Sequence, residues 1–150
     1  MINRLATMCK DANFDRKQAE MFLQQIDVNQ EFVDAEHGFK TVLLDWAATW
    51  SNVSMAKLLL DNGADPNHVY DNGSENVLWN LQYADKNSPM ENQRRLEIVK
   101  LLLEKGANPH LKVEGEDLYY WAVMCHIELD EGEQWDYREE YIRLLEEYGA

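Results

Sequence analysis

Two strings in the chain are near-copies of each other. LLLDNGADPN fills residues 58–67 and LLLEKGANPH fills residues 101–110, a displacement of 43 residues. Another 43 residues on stands LLEEYGA, at 144–150. A fainter copy, MFLQQIDVN at 21–29, puts its Asp-Val-Asn 38 residues before the Asp-Pro-Asn that closes the first string. Four units of 38 to 43 residues thus account for nearly all of the 150-residue chain. A repeat of that length limits the fold sharply. Each unit is one supersecondary element that cannot bury its apolar face alone, so neighbours must stack.

The units have an internal logic. In RRLEIVKLLLEKG (94–106), Leu96, Val99 and Leu103 recur at helical spacing with Ile98 and Leu102 beside them. Gly106 then supplies a left-handed residue to end the helix, and Pro109 follows where a helix cannot continue. Gly63 and Pro66 repeat that arrangement after a helix ending near Asn62. A capping box of the form D-x-x-E/Q opens two helices, one at Asp136 with Glu139 and one at Asp15 with Gln18, the latter helix running to about Gln25. A shorter helix precedes each of these, near residues 3–12, 43–50, 77–84 and 118–127. Polar, turn-forming stretches such as 67–74 and 110–116 join the pairs. The expectation is an all-α solenoid of about four turn-helix-helix units, near 1–29, 30–67, 68–110 and 111–150, in a single domain 1–150.

Charge narrows the partner. The chain carries 28 acids against 14 bases, for a net charge of −14. Its pI is about 4.5. With 45% hydrophobic and 11% aromatic residues it has the material for a core, so the acidity does not signal disorder. Phosphates would repel such a surface, which excludes nucleic acid and an anionic membrane as partners and favours a basic one. The acidity is uneven, with 12 acids and 3 bases in residues 112–150. Cys9 and Cys125 are too few for a disulfide framework and form no CxxC pair. The stretch MINRLATMCKDANFDRK has no continuous apolar core, so no secretory signal is expected, and no apolar run reaches the length of a membrane span. A reduced, cytoplasmic protein follows as the expectation.

LLLDNGADPN and LLLEKGANPH resemble the second helix and exit turn of an ankyrin repeat. The entry motif of that family, T-P-L-H-x-A, is less well kept. It survives as VLLDWA at 42–47, NVLWNL at 76–81 and DLYYWA at 117–122, without the threonine, proline or histidine. The period also exceeds the family's usual ~33 residues, because 85–93 and 128–135 are inserted between the helices of units three and four. The resemblance covers roughly residues 14–150, with the first helix as an N-terminal cap, and implies an ankyrin-repeat solenoid.

Catalytic chemistry is not legible. Turn geometry accounts for His68 and His110, which sit beside and in the slot of the motif's asparagine. Cys125 and His126 are adjacent with no third partner, so neither a thiol nucleophile nor a metal site is expected. The acidic run at 128–136 lacks the order of an EF-hand loop and reads as solvated. No cofactor, metal or enzymatic activity is expected.

The resemblance implies a contact surface made of turn tips and first helices. Carried over by position, the tips contribute Phe39 and Thr41, Asn72 and Glu75, and Glu114 and Glu116. The helix ends contribute Trp50, with Thr49 beside it, then Tyr83 and Met124. The set mixes aromatic residues with carboxylates and holds no lysine or arginine. Leu44, Trp46 and Trp121 face inward and are expected in the core, as is Tyr119; Trp79 and Tyr120 take the family's histidine slot, which is normally structural. The inserted segments 85–93 and 128–135 offer a rival surface.

A small, acidic, ankyrin-like chain resembles bacterial immunity proteins that neutralise a toxin, and a basic nuclease cleft would suit its carboxylates. A scaffolding subunit whose acidity serves solubility alone stays open beside it. So does a metal-dependent or small-molecule enzyme built in the inserted segments. The oligomeric state is also open, with a monomer slightly favoured.

Overall fold

In the computed structural model, which describes residues 1–70, 77–82, 89–113, 115–124 and 133–149, the apolar periodicity becomes helices and some of the polar connections become short hairpins. Helix α1 (Ile2–Cys9) buries Leu5, Ala6 and Cys9, and α2 (Arg16–Leu23) buries Ala19 and Leu23. Such spacings place each set on one side of its helix. The Asp15 carboxylate accepts from the Gln18 backbone N–H at 3.1 Å, the cap expected for α2. Next comes an antiparallel ladder in which β1 (Phe32–Val33) pairs with β2 (Lys40–Thr41), Phe32 opposite Thr41. Helix α3 (Leu43–Thr49) is buried from Leu43 through Ala48 and packs against both α1 and α4 (Val53–Asp61). Leu58 and Leu59 of α4 are also sealed from solvent. Each such leucine contributes about 1.5–3 kcal/mol.

The α3–α4 corner is held by one side chain. Asn52 accepts from the Met55 N–H at 3.1 Å, capping α4, while its amide donates to the Cys9 and Asp11 carbonyls at 3.1 and 3.0 Å. It thus closes the start of α4 and the end of α1 together. Ahead of it, Ser51 takes a left-handed φ of 53°, and the Asn52 N–H reaches back to the Ala47 carbonyl at 2.9 Å. The same six-residue closure follows α4, where Ala64 N–H meets the Leu59 carbonyl at 3.0 Å, and follows the later helix ending at Glu104, where Ala107 N–H meets Leu102 at 2.9 Å. In those two the left-handed residue is Gly63 or Gly106, as expected.

The contacts divide the chain into two units, Met1–Asp65 and Pro66–Ala150. In the second, α5 (Val77–Asn80) is followed by α6 (Pro89–Glu104), the ladder of β3 (Lys112–Val113) with β4 (Glu116–Asp117), α7 (Leu118–Met124) and α8 (Glu133–Glu147). Helix α8 packs against α6 and α7. Its buried residues Tyr137, Tyr141 and Leu145 form an i, i+4, i+8 stripe. The two tyrosine hydroxyls donate to the Leu81 and Leu78 carbonyls at 2.5 and 2.6 Å. Arg138, 1% exposed, donates to Gln82 Oε1 at 3.1 Å. A carbonyl of the short α5, that of Leu78, and the Leu81 carbonyl just beyond it are therefore satisfied from another helix.

Two helix starts differ from expectation. Helix α6 begins at Pro89, inside the supposed insertion 85–93, because proline suits a first helical turn that needs no N–H donor. Helix α8 begins at Glu133, so Asp136 lies within the helix and does not cap it. The Glu-Gln-Trp of 133–135 contains no helix breaker, and an acid in the first turn complements the helix dipole. Of the helices expected at 77–84 and 118–127, residues 83–84 and 125–127 lie outside the described residues. Among the described residues no helix is long and apolar enough to cross a membrane.

An asparagine rung repeats in each unit. Asn29 donates its amide to the Gly63 carbonyl at 3.1 Å and accepts from the Asp65 N–H at 2.7 Å. Asn67 does the same to Gly106, at 3.0 Å, and to Asn108, at 2.7 Å. A single side chain so ties one exit turn to the next and explains why the motif carries asparagine there. His110, in the third such slot, pairs its Nδ1 with Asp117 Oδ2 at 3.1 Å instead.

Candidate functional site

The tip between β1 and β2 is organised by Asp34. Its Oδ2 accepts from the His37 N–H and meets His37 Nδ1, each at 2.7 Å. The Asp34 N–H donates to the Phe39 carbonyl and the Gly38 N–H to the Asp34 carbonyl, both at 2.8 Å. Gly38 has a φ of +73°, a conformation open to glycine at no steric cost. Burial would raise the Asp34 carboxyl, but hydrogen bonds from the His37 ring and backbone outweigh it and hold the group below the usual carboxylate range. The tip is thereby fixed, with Phe39 projecting from it at 62% exposure.

From Phe39 a string of rings runs inward and out again. Phe39 stacks on His37 with centroids 6.1 Å apart, and His37 lies 6.0 Å from Trp46. Trp46 meets Trp50 edge-on at 5.9 Å. Trp46 is buried, as expected for the inner face of α3, whereas Trp50, the residue after Thr49, is 43% exposed. Only Trp46 in the string is buried; Phe39, His37 and Trp50 reach solvent. Such centroid distances lie within the range of favourable aromatic pairs, each worth about 0.5–1.5 kcal/mol.

Lys10 completes the group. Its ammonium lies 5.2 Å from the Trp50 ring centroid and 5.6 Å from that of Trp46, and it is ion-paired with Glu36. The hydrogen bond and charge of Lys10 hold the Glu36 carboxyl below its usual range. The contact surface implied by the ankyrin resemblance holds no lysine or arginine, so Lys10 is an addition to it. Lys10 sits at the end of α1, 36 residues before Trp46, and nothing local to Trp46 or Trp50 points to it. Beside this group a cavity of about 420 Å³ is lined by Asn3, Thr7, Lys10, Phe32, Asp34 and Trp46, among others.

Thr41 does not belong to the exposed surface. It is 7% exposed and its Oγ1 donates to the Val42 carbonyl at 3.2 Å. Side chains alternate along a strand, so once Lys40 faces solvent Thr41 must face the core.

In the second unit, Glu116 is exposed on β4, and Tyr120 and Met124 stand four residues apart on α7 at 56% and 59% exposure. Tyr120 thus differs from the structural role of its slot. Asp117 accepts from the Tyr120 N–H at 3.1 Å, which sets the start of α7. Burial raises the Asp117 carboxyl, but the bonds from Tyr120 and His110 outweigh it and leave it below the usual range. Trp79 is buried, with Trp121 5.9 Å away and half-buried. Tyr119, expected in the core, is half-buried and donates to Glu146 at 2.8 Å. Asn72, Glu75, Tyr83 and Glu114 lie outside the described residues, as do Cys125, His126 and most of 128–135.

Cys9 is buried and weakly bonded to the Leu43 carbonyl at 3.8 Å, and burial pushes its thiol up to about 12, far from a reactive thiolate. Among the described residues no three His, Cys, Asp or Glu side chains gather to hold a metal ion.

The family comparisons agree with the repeat strings. Residues 44–78 match the model for ankyrin repeats (many copies), and residues 81–113 match the model for the ankyrin repeat. The chain matches no curated protein.

Proposed function

We propose that this ankyrin repeat protein, a protein–protein interaction module by virtue of its repeats, binds a basic protein partner without catalysing a reaction. The observation that carries the reading is the string of rings in the first unit, anchored on the buried Trp46 and exposed at Phe39 and Trp50. Aromatic side chains are among those that most often dominate interface energy. The net charge of −14 supplies the complementary field for a cationic partner and speeds encounter. Glu116 and Met124, with the neighbouring Tyr120, provide a second patch of carboxylate beside exposed apolar surface.

Within that class we favour an immunity-type role, the neutralising of a toxin whose basic cleft the acidic surface would fill. Capture from the source cells on the immobilised chain tests both levels. The expected outcome is a protein of high pI, released as salt rises from about 50 to 500 mM, because screening shortens the reach of exposed charges. Capture of an acidic partner only, or binding indifferent to salt, would refute the basic partner. A toxin gene directly beside this one supports the immunity role; a captured partner with no toxic activity removes that role and leaves the module. Charge reversal at Glu75, Glu114 and Glu116 discriminates the scaffolding alternative, in which binding survives the reversal.

A further inference from the structure

Lys10 occupies an arrangement suited to cations in general. Two indole rings and one carboxylate surround its ammonium, at 5.2 Å from Trp50, 5.6 Å from Trp46 and in direct ion pairing with Glu36. The quadrupole of an aromatic face attracts a cation, most strongly for tryptophan, and edge-on packing of Trp46 against Trp50 presents both rings to one charge. The niche is also accessible. Trp50 is 43% exposed, the Lys10 side chain 29% and the Glu36 side chain 67%. Trp46 lines the adjoining cavity of about 420 Å³, a size within the range of small-ligand pockets. Its indole Nε1 is buried and finds no hydrogen-bond acceptor among the described residues. A buried donor left so costs about 1–3 kcal/mol, which marks Trp46 as a site the surrounding fold holds at some expense.

We propose that Lys10 is a built-in stand-in, and that the Trp46–Trp50–Glu36 niche takes the ammonium of a lysine side chain on the partner in its place. The inference rests on the reading of a basic partner and adds how one of its residues is recognised. In the free chain Lys10 satisfies Glu36 and covers the two rings. On binding, the incoming ammonium takes over the carboxylate and both ring faces, and the released Lys10 swings into solvent. Charge in the niche is unchanged by the exchange, so no carboxylate is stranded. The built-in competitor also raises specificity, since a neutral side chain cannot displace it at equal strength.

The test uses a small probe and leaves the partner out, so that its failure is separate from failure of the capture experiment. N-acetyl-lysine methylamide is titrated into the native chain and into Lys10→Ala, following the indole N–H signals by NMR. The neutral norleucine analogue serves as control. The expected result is at least tenfold tighter binding of the lysine probe by Lys10→Ala than by the native chain, abolished when Trp50→Ala is added. Equal affinity in native chain and variant overturns the proposal, as does norleucine binding Lys10→Ala as tightly as lysine. Lys10→Gln, which keeps the stem and lacks the charge, supplies the same measurement if Lys10→Ala does not fold by circular dichroism.

Discussion

The two units are built from the same turn, helix and exit motif, yet they spend their aromatic residues and charges differently. The first, residues 1–65, holds ten acids and six bases; the second, residues 66–150, holds eighteen and eight. In the first, Phe39, His37, Trp46 and Trp50 touch in series and reach solvent at both ends. In the second, the tyrosines of α8 turn inward and serve the backbone of α5, while the exposed aromatic Tyr120 stands on α7. A single net charge conceals this difference. Unit one holds the connected rings with exposed ends at Phe39 and Trp50, and unit two carries most of the acidic surplus.

The largest expected effect is on the stability of unit one. Asn52→Ala removes the cap of α4 and the donors that close α1, and should cost about 2–3 kcal/mol in urea unfolding. A loss below about 1 kcal/mol would mean that water replaces these bonds without penalty. Next, Trp50→Ala should weaken the captured partner by about 2 kcal/mol, roughly 30-fold, while the lost Trp46 pair costs stability about 0.5–1.5 kcal/mol, and Met124→Ala should weaken binding less. Titration calorimetry of both variants measures the contrast; a larger loss at Met124 would move the principal contact to unit two.

Tyr141→Phe should cost about 1–2 kcal/mol, because the Leu78 carbonyl loses its donor in a buried setting. Thermal unfolding reads it, and an unchanged midpoint would show the hydroxyl to be dispensable. The smallest effect is on pH dependence. Asp34, Glu36 and Asp117 all titrate below their ordinary values when folded. Their stabilisation is therefore present above the unfolded values of about 4 and is lost as pH falls through the lower folded values. Asp34→Asn should flatten the acid limb of stability in unit one and leave the contribution of Asp117 in place. An acid limb identical to that of the native chain would contradict the His37 bonds as its source.

Much of the fold was legible because it depends on local rules. Gly63 and Gly106 stand where a helix must end in a left-handed residue, and the repeated strings place Asn29 and Asn67 in equivalent slots before any bond is seen. The Asp15 cap was readable for the same reason, whereas Asp136 misled: the D-x-x-E pattern is shared by caps and by ordinary helix interiors, and nothing upstream of it breaks the helix. Thr41 was misplaced because its face depends on the register of a two-residue ladder, which one position can invert.

The sequence by itself determined the repeat, the all-α ankyrin class, the glycine-marked ends of α4 and α6 and the acidity, since each follows from spacing or composition within a few residues. Tertiary structure alone decided that Lys10 lies over Trp46 and Trp50 and pairs with Glu36, and that Tyr137 and Tyr141 reach the carbonyls of Leu81 and Leu78. Those meetings join residues from 26 to 63 positions apart. Side-chain direction and helix packing bring them together, and neither is written in the periodicity of any one segment.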